Sequence, residues 1–134
     1  MKTLFVVVFV VMMISCSKQN EVTNIGQLAG IWQWESSCGG IISGCCAYPS
    51  TTLYKEIDFY ANGQYVHKTN GHIDLKADYT IEKKDDKSGT LVLNVDTAIY
   101  TEYYTTPLEM QIDIRNNRLS IYQGELIETY VKIK

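Results

Sequence analysis

Proline is scarce in this chain, with only 2 among 134 residues, and histidine is equally rare at 2. So few prolines exclude a polyproline spacer and leave extended strands free to pair. Two histidines, His67 and His72, leave little from which to build a histidine-rich metal site. Basic charge is not in excess either: 12 Lys and Arg stand against 15 Asp and Glu, a net charge of −3. Without a basic stripe to displace counterions, nucleic acid is excluded as a partner. The longest apolar run, Leu4 to Ile14, is 11 residues, against roughly 20 for a membrane-spanning helix. There is no internal repeat and no low-complexity tract.

Catalytic patterns are missing too. Neither histidine has a serine or cysteine nucleophile at a telling distance in a motif. A carboxylate pair such as Asp58 and Asp74 means little in a chain with 15 acids. No enzyme activity and no cofactor are therefore expected.

What the chain does have begins at its N-terminus. Lys2, the Leu4–Ile14 run and the sharp polar turn at Ser17-Lys18-Gln19-Asn20-Glu21 predict a secretory signal peptide over residues 1–15. Met13-Ile14-Ser15-Cys16 resembles a bacterial lipobox, with cysteine at the first processed position. That resemblance implies a diacylglycerol on the Cys16 thiol and, commonly, a third chain on its amine. Several chains together give stable anchoring where one is reversible. Residues 16–23 then form a lipidated tether, and Ser17, rather than aspartate, after the cysteine implies the outer membrane. Ordinary cleavage nearby, with Cys16 an incidental thiol, is the plainer alternative.

Residues 24–134 read as one domain of short strands. Asn24-Ile25-Gly26-Gln27 predicts one helical turn, with Gly30 as its C-cap. Strands are expected over Ile31–Ser37, Thr52–Tyr60, Gln64–Thr69, His72–Lys83 (with a break near Lys76-Ala77), Thr90–Val95, Leu108–Arg115, Arg118–Gln123 and Leu126–Ile133. Ala61-Asn62-Gly63, Asn70-Gly71, Asn116-Asn117 and Gly124-Glu125 supply the turns. In the last strand Ile127, Val131 and Ile133 share a face. The small-residue stretch from Cys38 to Ser50 reads as a loop. Eight strands without a convincing helix must close or leave long edges, which predicts an all-β, antiparallel up-and-down barrel. Such a barrel is filled by side chains or holds one small ligand.

Trp32 and Trp34, two apart on the first strand, point to the same face and plug one end. With Phe59, Tyr65, Tyr79 and Met110 they either wall an apolar pocket or form the core. Cys38, Cys45 and Cys46 share the loop, and in an oxidising compartment Cys38 pairs with Cys45 or Cys46, leaving one thiol over. A thiolate metal site completed by a histidine is the sharper, less favoured alternative, since Cys-x6-Cys-Cys matches no zinc spacing. The histidines flank the Asn70-Gly71 turn on opposing strands and read as surface side chains beside Lys68 and Asp74. Tyr100, Tyr103 and Tyr104 form a polar, tyrosine-rich stretch suited to sugar or protein contacts, or to the barrel rim.

Gly30-x-Trp32 ahead of a meander, Leu28-x-Gly30-x-Trp32-x-Trp34, the Cys-Gly-Gly loop and Asp58-Phe59-Tyr60-x-Asn62-Gly63-x-Tyr65 together resemble the lipocalin-like lipoproteins of Gram-negative bacteria. The likeness runs from Leu28 to the C-terminus. It implies a compact lipocalin-like barrel, anchored to membrane, that binds a small partly apolar ligand. The alternative is a solid barrel acting through protein or glycan contacts of its loops. The arginine with which larger lipocalins cover the tryptophan is not matched near the last strand.

Overall fold

Alternation of apolar and polar residues builds strands that can bury only one face, and here those strands roll into a closed wall. The computed structural model describes residues 25–41, 44–95 and 107–134. A single 3-10 turn, Ile25–Gln27, precedes β1 (Gly30–Gly39), β2 (Cys46–Ala47), β3 (Lys55–Phe59), β4 (Gln64–Thr69), β5 (His72–Lys83), β6 (Ser88–Val95), β7 (Leu108–Arg115), β8 (Arg118–Gln123) and β9 (Leu126–Lys132). Neighbours pair antiparallel from β1 and β3 round to β9, and β9 pairs back onto β1 from Trp32↔Lys132 to Gly39↔Leu126. The eight long strands thus form a closed antiparallel barrel, as the alternation predicts. β2 lies outside the ring, pairing with Ser37 and Cys38 where β1 outruns β3.

Several hairpins form where asparagine and glycine tolerate left-handed backbone. Asn70 and Gly71 have φ of 52° and 79°, and Asn116 and Asn117 have 50° and 62°. Both pairs join strands through two residues, the geometry that suits right-twisted strands. Gly30 is a strand residue rather than a helix C-cap. At its φ of 137° a β-carbon would lie 2.2 Å from the Lys134 carbonyl oxygen, so only glycine lets the C-terminus close over β1.

The two ends of the barrel differ. At one, Ile25 and Leu28 are buried, the Ile25 amide donates to the Asp86 carbonyl at 2.8 Å, and the Trp32 indole N–H donates to the Leu28 carbonyl at 2.8 Å. Lys132 Nζ stands 5.8 Å from the Trp32 ring centroid and donates to the Gln27 carbonyl. A lysine therefore sits over the tryptophan at this end. This is the plugged end. The other end, the rim, carries the β1–β2 loop and the β4–β5 and β8–β9 hairpins.

Three local expectations are corrected. The 38–50 segment is not wholly irregular, because Cys46–Ala47 finds an open stretch of β1 to pair with. β5 does not break near Lys76-Ala77; its register slips between His67↔Leu75 and Lys68↔Ile73, leaving Asp74 as the extra residue. In the last strand the expected apolar face turns out: Ile127, and Ile133 just past the end of β9, are exposed, whereas Glu128 and Tyr130 are buried.

Candidate functional site

The barrel interior is built from the inward row of each strand. Trp32, Trp34, Phe59, Tyr65 and Met110 are all buried in one cluster, with Tyr79 packed against it. Phe59 meets Tyr65 and Tyr79 edge to face, at centroid distances of 5.3 and 5.1 Å, the arrangement favoured by ring quadrupoles. All six proposed pocket walls thus lie together.

Toward the rim the inward rows turn polar. Glu128 accepts hydrogen bonds from Lys55 Nζ at 2.5 Å, Ser37 Oγ at 3.0 Å and the Tyr130 hydroxyl at 3.0 Å. Ser37 in turn accepts the Trp34 indole N–H at 2.9 Å, and Lys55 Nζ lies 4.9 Å from the Trp34 ring centroid. Burial alone pushes the Glu128 carboxyl up, but Lys55, Ser37 and Tyr130 together outweigh it and hold the group below the ordinary range. Burial raises the Tyr130 hydroxyl, and the Glu128 charge raises it further. His67, also inward, shares a 3.1 Å contact with Asp74; burial lowers its pKa despite that carboxylate, so it is neutral at pH 7. Three donors occupy the Glu128 carboxylate and its charge is matched by Lys55, so the cluster is a satisfied network that orders the rim.

The sequence reading missed Glu128, Lys55, Ser37 and Tyr130. The signal was present in the alternation, since Lys55 is in phase with Ile57 and Phe59, and His67 with Tyr65.

Cys38 and Cys46 form a disulfide, and Cys45 is free and exposed. The bond ties β2 to β1. On the neighbouring segment, Asn70 donates its side-chain amide to the Thr52 carbonyl and accepts the Tyr54 amide, which fastens residues 52–54 to the β4–β5 hairpin. Around this braced rim stand Ile41, Tyr48, Leu53, Tyr54, Ile73 and Ile127, six of the eight exposed large apolar side chains among the described residues. His72 is exposed on its hairpin and does not face His67, which pairs with Leu75. Among the described residues no three of His, Cys, Asp and Glu converge as metal ligands. Cys16, the signal peptide, the tether, and Tyr100, Tyr103 and Tyr104 lie outside the described residues.

Reducing the Cys38–Cys46 bond is expected to lower stability by about 2.5 kcal/mol, the loop entropy of so short a ring, while leaving the barrel folded. Urea titrations with and without reductant, followed by far-UV circular dichroism, measure this. Complete unfolding on reduction would show that the staple supports the barrel wall itself.

No protein-family model, curated protein or solved structure matches this chain.

Proposed function

We propose that this is a lipid-anchored, extracytoplasmic, lipocalin-like protein whose filled barrel presents a braced rim to other components of the cell envelope, without a catalytic step. One observation carries the reading: the residues able to wall a pocket pack on one another, while most exposed apolar side chains gather at a single end. Exposed aromatic and aliphatic side chains on a rigid support suit protein or glycan contacts, because little ordering entropy is lost on binding. The competing reading, a small partly apolar ligand among Trp32, Trp34, Phe59, Tyr65, Tyr79 and Met110, requires that cluster to part. Acylation at Cys16 and Ser17 after it support an outer-membrane address. Ile25 belongs to the plugged end, so a tether joined there leaves the rim at the far end of the barrel.

Native mass spectrometry of the protein extracted from its own membrane tests this. The expected spectrum is a processed chain with acyl mass at Cys16, lost in Cys16→Ala, and no other bound mass. An unacylated native chain overturns the anchor. A stoichiometric small molecule released on unfolding overturns the filled scaffold.

A further inference from the structure

The outer wall of the barrel carries a groove that neither the rim nor the core explains. It spans β4, β5 and β6, has a volume of about 380 Å³, and its polar lining is Tyr60, Gln64, Lys68, Lys76, Asp78 and Asn94. Strand register makes this an ordered grid. Gln64, Asp78 and Asn94 form one cross-strand row, and Asp58, Val66 and Lys76 form the next. Asp58 is unusual for an outward position: its side chain is only 5% exposed. One oxygen accepts Lys68 Nζ at 2.6 Å and the Tyr60 hydroxyl at 3.3 Å. The other, Oδ1, is buried with no hydrogen-bond partner among the described residues. Such an oxygen is costly unless a donor reaches it.

We propose that this groove binds a neutral saccharide. Neither lysine is left over for an anion, since Lys68 is matched by Asp58 and Glu56 and Lys76 lies with Asp78, three carboxylates against two lysines. A strongly anionic ligand would therefore gain little. Sugar hydroxyls both donate and accept, which suits the amides of Gln64 and Asn94 and the Asp78 carboxylate on one flat row. Asp58 itself lies behind this lining, where it accepts from Lys68 and from the Tyr60 hydroxyl. The half-exposed ring of Tyr60, held by its hydroxyl to Asp58, offers a face for the apolar side of a pyranose. The volume falls within the range of small-molecule sites, roughly 300–1,000 Å³.

The groove meets the proposed rim at Ile73, while its polar row of Gln64, Asp78 and Asn94 lies away from it, so substitutions in that row test the groove alone. The test is calorimetric titration of the full-length protein, in a detergent without sugar headgroups, with chitotetraose, cellotetraose and maltotetraose. At least one is expected to bind saturably, with affinity falling about tenfold or more in Tyr60→Ala and in Asn94→Ala. Asn94 is exposed, so its variant keeps the wild-type melting temperature, and Tyr48→Ala at the rim leaves affinity unchanged. No saturable heat with any of the three sugars overturns the proposal. So does binding that survives both groove substitutions, or that is lost in Tyr48→Ala alone.

Discussion

Trp32→Ala is expected to remove about 4 kcal/mol of stability, within the range of about 3–5 for truncating a fully buried tryptophan. Trp32 has no exposed surface, and it belongs to the same buried cluster as Ile25 and Leu28 of the plugged end. The substitution also strips the Leu28 carbonyl of its indole donor and removes the ring beneath Lys132. A domain of this size has roughly 5–15 kcal/mol in total, so the variant sits near its folding threshold. In urea the midpoint is expected to fall by about 2–3 M. A loss below about 1 kcal/mol would mean that Ile25, Leu28 and the indole do not form a common plug.

Glu128→Gln is expected to cost about 3 kcal/mol, the low end for breaking a buried ion pair. The amide keeps the shape but leaves Lys55 without its counter-charge in a partly buried place. Because Lys55 retains some exposure, it can turn toward water and soften the loss. Replacing both partners, in Lys55→Met with Glu128→Leu, is expected to recover most of the stability, since two apolar side chains need no compensation. If the double variant is as unstable as the single one, the pair is not what Glu128 contributes.

The pH dependence follows from the same group. Glu128 titrates lower in the folded chain than in the unfolded one. Its contribution is therefore whole above the unfolded value, about 4.3, and disappears as pH falls through the lower folded value. His67 adds a separate loss that begins below about 6.5, because the folded state resists taking up that proton. Subtracting the stability curve of Glu128→Gln from that of the native chain isolates the carboxylate. A constant difference between pH 5 and pH 2 would contradict the assignment.

Much of the wall was legible because hairpin chemistry is local. β4, β7 and β8 begin and end where alternation and the asparagine turns say they must. The apolar lining was legible for the same reason: large side chains at every second position can leave water only on one side. The rim network was not. Lys55, His67 and Glu128 continue inward rows, yet a charged residue in sequence reads as a solvent residue. Their burial becomes affordable only because β9 closes onto β1, bringing Glu128 to Ser37 and within reach of Lys55 73 positions away. β9 shows the effect most clearly. Ile127 looks like part of a core face, but the register with β1 turns Glu128 and Tyr130 inward and leaves Ile127 outside.

From residues alone came the closed all-β architecture, the aromatic lining, the hairpin positions and the pairing of Cys38 with a neighbouring cysteine in its own loop. Each of these depends on contacts between near neighbours or on a two-residue period, which the chain carries at every point. Which cysteine pairs, which face of β9 is inward, and how a carboxylate survives inside were decided by closure. Closure joins segments a hundred residues apart, and the charges it brings together have no signature until they meet.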